Sequence, residues 1–336
     1  MRDNAAYNII VTNKCAISCD HCFMDKRTAK SLSMDTIKAI TSKIMSFNKS
    51  QNINWGGGEP LLLGRAQLRE IVFLDCFEDP GTKNLLYSTY QIQIDNDWVD
   101  ILNRFDSLMF SLDSYRSAQA AFNSRLAFSN LTRLLPKKHI SYTPMASDTR
   151  EMIAEYYAQA LDLGADMFHV GFLYSEELIP PDMYLRLIDD LLTLQVSLNG
   201  PEIGFFHKSH AFGGNYKTAV GWRGYDCFDK GIYFSHDGIV TSCYIMHSRG
   251  FEVPHIRIEE FLSGDRNLFD LNRKYASDFF IRSRPRKCLE CSYYTLCMGG
   301  CPYFTARSET GIDYYCRVYK KIFEILLGTT QKEVYA

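Results

Sequence analysis

The sequence predicts an α/β fold built on a parallel sheet. Six strand-like segments, each followed by a segment of helical periodicity, fill roughly the first 200 residues, and such alternation argues for parallel strands. Glycine-rich and polar stretches fall just past the first, second and fourth strands, on the rim where parallel barrels keep their chemistry. Helical periodicity then stops in SLNGPEIGFFHKSHAFGG (198–215), and the chain becomes cysteine-rich. Two units are expected: a barrel-like sheet over 1–210, closed or partly open, and a small cysteine-rich domain over 211–336.

The elements follow in order. YNIIVT (7–12) reads as a buried strand, and SMDTIKAITSKIMSF (33–47) has helical spacing with Ser33 placed to cap it. NINW (52–55) is a short strand entering a glycine turn, and 65–78 is helical. LLYSTYQIQI (85–94) is strand-like, with a short helix over 96–104. SLMFSLD (107–113) is a strand before a helix over 117–135. HISYTP (139–144) precedes a helix over 149–163 that stops near Gly164, and DMFHVGFLY (166–174) precedes one over 182–197. Beyond the break, GIYFS (231–235) and GIVTSCY (238–244) are short strands, and IDYYCRVYKKIFEILLG (312–328) is a closing amphipathic helix.

Composition narrows the function. The chain has 336 residues and 46% hydrophobic content, enough for a large core and about two domains. Its 37 Lys and Arg nearly cancel 39 Asp and Glu, so no nucleic-acid groove or anionic membrane is implied. MRDNAAYNIIVTNKC has no basic flank before a long apolar run, and no segment reaches the ~18 apolar residues of a membrane span. A cytoplasmic location is expected, where the eleven cysteines suit metal ligation or thiol chemistry better than disulfides.

NKCAISCDHCF carries Cys15, Cys19 and Cys22 as Cys-x3-Cys-x2-Cys. Thiolates hold iron–sulfur clusters, and a cubane with three protein thiolates keeps one iron for another ligand. A zinc site using His21 or a distant fourth ligand remains an alternative. NWGGGEP (54–60) follows the second strand. Its glycines permit close backbone approach, as they also would in an ordinary turn.

CAISCDHC followed by GGEP at 57–60 resembles the radical S-adenosylmethionine (SAM) superfamily, whose fold is a partial (β/α)6 barrel. By that resemblance Cys15, Cys19 and Cys22 hold a [4Fe–4S] cluster that chelates SAM. Gly57, Gly58, Glu59 and Pro60 form the segment that binds its amino group. Ser111 and Asp113 of FSLDS match a motif beside the ribose or methionine. Arg125 matches an arginine that contacts SAM in related enzymes, although Arg116 and Arg125 suit a solvated helix face equally well.

Seven further cysteines lie in the last third: Cys227-x10-Gly238-x4-Cys243, then Cys288-x2-Cys291-x5-Cys297-x3-Cys301, then Cys316. Taken alone, such spacing is most often zinc, and seven thiolates require two sites. The order also resembles the SPASM extension of the same superfamily, which carries two auxiliary [4Fe–4S] clusters. The resemblance implies one cluster on Cys288, Cys291, Cys297 and Cys316 and another on Cys227, Cys243 and Cys301. Some relatives supply a further cysteine about six residues before the first of these, where this chain has Gly221.

The resemblance implies reductive cleavage of SAM to a 5′-deoxyadenosyl radical and hydrogen-atom abstraction from a peptide or protein. The leading expectation is an oxidative modification of a ribosomally made peptide, such as a cross-link. Sulfatase maturation by formylglycine formation and peptide epimerisation are alternatives. The sulfatase-maturing relatives place an Asp base directly after the second SPASM cysteine; here Tyr244 stands there, with Asp237 nearby. Cys76 is read as a core cysteine or a hydrogen-atom donor, and His207 and His210 lie near the expected domain junction. A flavodoxin- or ferredoxin-type donor is implied. Cys15 stands too near the start for a leader-recognition domain before it, so a separate leader-binding protein or the catalytic domains would serve. A non-catalytic iron–sulfur or zinc scaffold explains the cysteines but not GGGEP.

Overall fold

The computed structural model describes residues 5–17, 19, 22, 24, 29–47, 51–90, 92–112, 127–174, 178–203, 228, 231–264, 268–278 and 284–334. Ten strands form one sheet: β1 (Ala5–Thr12), β2 (Gln51–Gly57), β3 (Thr82–Ser88), β4 (Ser107–Ser111), β5 (Lys137–Tyr142), β6 (Met167–Val170), β7 (Glu202–Ile203), β8 (Gly231–Phe234), β9 (Ile239–Thr241) and β10 (His255–Arg257). Their order is β10-β9-β8-β1-β2-β3-β4-β5-β6-β7. Every pair from β1 to β7 is parallel, as is β1 with β8, while β8, β9 and β10 form an antiparallel meander. Among the described residues β7 and β10 are the sheet's edges, as in a partial barrel.

Five of the six expected strand–helix units are described in full; of the helix expected over 117–135, residues 117–126 lie outside the described residues and 127–131 are helical. Alternation along each strand explains the layering. Tyr7, Ile9 and Val11 of β1 and Ile53 and Trp55 of β2 are buried in the main core, which also takes Ile37, Ile40 and Ile44 of helix Met34–Met45. The intervening Asn8, Ile10, Asn54 and Gly56 line the interior cavity described below. Local chemistry sets the helix starts. Ser33 Oγ accepts from Thr36 N at 3.1 Å, and Asp95 Oδ1 and Thr149 Oγ1 accept from Trp98 N and Met152 N.

Several boundaries differ from the sequence reading. The helix expected over 65–78 is two, Arg65–Val72 and Asp75–Glu78, because Leu74 is extended. That break lowers the Cys76 carbonyl onto Asn84 Nδ2 at 2.9 Å. The strand expected over 85–94 ends at Ser88, where Tyr90 takes φ +53°. Asp313 delays the last helix to Cys316: its Oδ1 accepts from Tyr315 N at 2.7 Å and its carbonyl from Cys316 N at 3.0 Å, and the helix then runs to Val334. In the stretch expected to be irregular, Glu202–Ile203 adds a seventh parallel strand. The expected boundary near 210 lies outside the described residues, but β8 beyond it is hydrogen-bonded to β1, so strands from both units share one sheet. Among the described residues no helix is long and apolar enough to cross a membrane.

Candidate cluster and SAM site

The first cysteine loop is clasped at its neck. Leu32 N donates to Val11 O, Asn13 N to Lys30 O, and Lys30 N to Asn13 Oδ1, at 2.9, 3.0 and 2.7 Å. The glycine stretch closes from the other side: Gly58 N donates to Thr12 O at 2.8 Å and Glu59 N to Lys14 O at 2.7 Å. The contact is close enough to require glycine. A Cβ on Gly57 would stand 2.1 Å from Thr12 O, and one on Gly58 2.3 Å from Lys14 O and 2.7 Å from Asn13 O. Gly57 also has φ +142°, which disfavours any side chain.

Cys15, Cys19 and Cys22 face one cavity of about 350 Å3 in the barrel interior. Gly56, Gly57 and Gly58 line it beside them, with Ser88 at the end of β3 and Thr89 after it, Ser111 at the end of β4, and Ser141 and Thr143 from the β5 side. The donor set fits an iron–sulfur cluster, since three thiols share a space with room for a further polar ligand. Among the described residues, no three His, Cys, Asp or Glu side chains form a group that could hold a metal ion.

Glu59 is placed differently from the glycines before it. Its carboxylate is 3% exposed and accepts four hydrogen bonds. Oε1 takes Leu61 N at 3.0 Å and Ser88 Oγ at 2.8 Å; Oε2 takes Thr89 N at 2.8 Å and Thr89 Oγ1 at 2.5 Å. Glu59 therefore fixes the Ser88–Thr89 wall, and neither it nor Pro60 lines the cavity. Pro60 opens the short 3-10 turn Pro60–Leu63 that Glu59 caps. Asp113, Arg116, Arg125 and His21 lie outside the described residues.

A second cavity, of about 520 Å3, is lined by Cys288, Cys291, Cys297 and Cys316, the four cysteines that the resemblance groups. Burial pushes the Cys288 and Cys316 thiols up and Cys297 to about 12, with Asp313 adding to each. Thiolate ligation there must displace protons. Asp313 closes the inner end; burial pushes its carboxyl up to about 7, against the N–H groups of Tyr315 and Cys301 that hold it down. Cys301 lies behind, donating its N–H to Asp313 Oδ2 at 2.6 Å, while Cys243 precedes helix Tyr244–Ser248 and burial pushes its thiol to about 11. Neither lines either cavity. Their expected partner Cys227 lies outside the described residues, as does Gly221.

No family model matches the sequence. A curated relative, the cysteine-type anaerobic sulfatase-maturating enzyme of Clostridium perfringens, is 21% identical over 92% of both chains. Among solved structures, native anSMEcpe with bound AdoMet and Kp18Cys peptide superposes with TM-score 0.76 and 16% identity, covering 98% of this chain and 99% of that one. Streptococcus suis SuiB bound to precursor peptide SuiA gives TM-score 0.65 at 15% identity, covering 94% and 76%. The chain shares the fold of these two proteins.

Within that fold the candidate catalytic residues fall apart. Cys76 is fully buried in the main core, behind Asn84, which also accepts from Trp55 Nε1 at 2.9 Å. Burial pushes its thiol to about 12, and it lines neither cavity. Cys76→Ala is therefore expected to cost about 1–2 kcal/mol in denaturant melts by leaving a small cavity, with reductive SAM cleavage retained; loss of that cleavage at unchanged stability would restore a chemical role. Asp237 sits in the β8–β9 turn, where Ser235 Oγ bonds its side chain and Arg257 Nη1 donates to its carbonyl at 3.3 Å. Tyr244 is buried against Ile10 and Met24, with Cys22 and Tyr233 packed around them. His207 and His210 lie outside the described residues.

Several lining residues escaped the sequence reading. Ser141, Thr143 and Tyr233 were legible as alternate positions of HISYTP and GIYFS, opposite the buried Ile140, Tyr142 and Ile232. His169 pairs in register with Ser141, and its Nε2 lies 3.3 Å from His139 Nδ1. Arg249, from the last third, donates to Tyr174 O at 2.9 Å and reaches Cys22 O at 3.5 Å, tying the cysteine loop to the end of the barrel.

Proposed function

We propose that the protein uses SAM and three [4Fe–4S] clusters to modify a peptide oxidatively. The observation that carries this reading is the single cavity shared by Cys15, Cys19, Cys22, Gly57 and Gly58 inside the barrel. Cys15, Cys19 and Cys22 would hold the SAM-binding cluster, Cys288, Cys291, Cys297 and Cys316 a second, and Cys227, Cys243 and Cys301 a third. Gly57, Gly58 and Ser111, with Asp113 and Arg125, would form the SAM-binding set, supported by Glu59 and Pro60. Bound there, the cluster and SAM supply a 5′-deoxyadenosyl radical for hydrogen-atom abstraction. The chain's own task is to orient SAM and keep water out. The glycine backbone presents hydrogen-bonding groups beside the thiols, and the hydroxyls of Ser111, Ser141 and Thr143 face the same space.

The peptide class is supported by the likeness to anSMEcpe and SuiB, each solved with a peptide. A cross-linked product would lose two hydrogen atoms: one to the radical, the other as a proton released to solvent and an electron that a cluster held by the C-terminal cysteines would accept. Anaerobic reconstitution tests the reading. About twelve irons per chain are expected, four per cubane, with 5′-deoxyadenosine formed on reduction. Cys19→Ala should lose about four irons and all SAM cleavage, whereas Cys316→Ala should lose about four irons and keep cleavage. Two zinc ions and no cleavage would overturn it.

The near-complete mutual coverage with the sulfatase-maturating relative supports a second reading, formylglycine formation. Against it, the buried Tyr244 occupies the position expected for that reaction's carboxylate base. Incubation with the Kp18Cys peptide decides between them: an aldehyde at its cysteine establishes sulfatase maturation, and an unchanged peptide favours another target.

A further inference from the structure

CMGGC (297–301) carries two glycines of positive φ, Gly299 at +90° and Gly300 at +78°. Gly299 lines the second cysteine cavity, and its N–H bonds the Cys297 sulfur. Behind it lies Arg284, which is 7% exposed. Its guanidinium fills the space that a side chain at 299 would need. A Cβ there would stand 2.3 Å from Arg284 Nε, 2.4 Å from Cζ and 2.9 Å from Nη2. Nη1 donates to Thr305 Oγ1 at 3.3 Å, and Thr305 Oγ1 donates to Cys301 O at 3.0 Å. A buried cation thus rests on the backbone of a residue that lines the cavity. The buried carboxylate of that lining, Asp313, packs against Gly300 and accepts from Cys301 N, Tyr315 N and Tyr319 Oη. Burial works against the Arg284 charge, while the thiolates of Cys288 and Cys297, and then Asp313, favour it.

We propose that Arg284 is a fixed buried cation that holds the reduction potential of a cluster on Cys288, Cys291, Cys297 and Cys316 more positive than the thiolates alone would. The inference rests on the reading that these four cysteines hold an iron–sulfur cluster. A guanidinium stays charged, and it is costly to bury away from an opposite charge. A four-thiolate cluster supplies that charge and becomes more negative on taking an electron. A cation beside it therefore favours the reduced form, and net charge, hydrogen bonds to sulfur and exposure are what set such potentials. Gly299 serves two of these terms: its missing side chain admits the guanidinium, and its N–H bonds a ligand sulfur. Lys287, Arg317 and Lys320 line the same cavity but are exposed, where water and salt screen them. Arg284 is shielded from both.

The test is a redox titration of the reconstituted holoenzyme followed by electron paramagnetic resonance, reading the signal that Cys316→Ala removes. Arg284→Met keeps the bulk of the side chain without its charge, and Arg284→Lys keeps the charge. Arg284→Met is expected to reduce at a more negative potential, its reduction constant lowered about tenfold or more, which for one electron is about 59 mV. Arg284→Lys should stay near the wild type, and so should Lys287→Gln on the exposed rim. An unshifted midpoint in Arg284→Met overturns the proposal, as does an equal shift in Arg284→Lys or in Lys287→Gln. Should Arg284→Met fail to hold this cluster, iron content decides. About eight irons in Arg284→Met against about twelve in Arg284→Lys supports the role of the charge, and about eight in both overturns it. Failure of the underlying reading looks different: Cys316→Ala then retains its full iron content and removes no signal.

Discussion

Gly58→Ala is expected to lose the iron proposed for Cys15, Cys19 and Cys22 while the rest of the chain stays folded. A methyl at Gly58 meets two backbone carbonyls, Lys14 O at 2.3 Å and Asn13 O at 2.7 Å. Neither belongs to a side chain that can swing away. To reach ordinary contact at 3.4 Å, Lys14 O must retreat by about 1 Å. Lys14 precedes Cys15, and the bond from Glu59 N to Lys14 O goes with it. Overpacking of this kind costs about 1–3 kcal/mol, and a misplacement of about 1 Å can lower a reaction rate 10²-fold. The expected variant holds about eight irons instead of twelve, forms no 5′-deoxyadenosine, and melts only slightly early. Gly56→Ala is the control: its methyl would meet Tyr87 Cβ at 3.5 Å, an ordinary contact, and it should keep all its iron. If Gly58→Ala also keeps its iron, the clasp between the glycine stretch and the cysteine loop is not what shapes the site.

The clasp marks what the sequence could convey. The resemblance grouped Cys288, Cys291, Cys297 and Cys316, and these four line one cavity, three of them being near in sequence. Period-two alternation placed the parallel strands. The function of the glycines was legible only by half. Composition suggested close approach to a ligand, yet at Gly57 and Gly58 the closest approach is to the chain's own Thr12 and Lys14 carbonyls, contacts 45 and 44 residues apart that no local pattern encodes. The same holds for β8 beside β1 and for Arg249 reaching Cys22: the last third of the chain completes the first cysteine site through contacts more than 220 residues apart. The strand over 85–94 was overextended because QIQI keeps the alternation. Glu59 and the left-handed Tyr90 end it sooner.

Glu59→Gln is the second large effect, and the hydrogen-bond inventory shows why so small a change matters. All four partners of the carboxylate donate to it. Two are hydroxyls, Ser88 Oγ and Thr89 Oγ1, which can rotate and accept instead. The other two are backbone N–H groups, Leu61 N on Oε1 and Thr89 N on Oε2, and these cannot turn. Whichever way the substituted side-chain amide is placed, its NH2 faces one of them. The variant loses the strengthening that a charged acceptor gives these bonds and leaves a buried N–H without an acceptor, together about 3 kcal/mol. The strain falls on the Ser88–Thr89 wall, which lines the cavity, and on the Tyr90 turn, whose N–H bonds Ser88 Oγ at 2.9 Å. A lower denaturation midpoint is therefore expected together with weaker SAM binding by the reconstituted enzyme, with iron retained because the cysteine loop is held by backbone groups of Gly58 and Glu59 that the substitution leaves in place. This pattern separates support of the wall from direct contact with SAM. If the Glu59 side chain itself met the amino group, SAM affinity would fall with little change in the stability of the SAM-free protein.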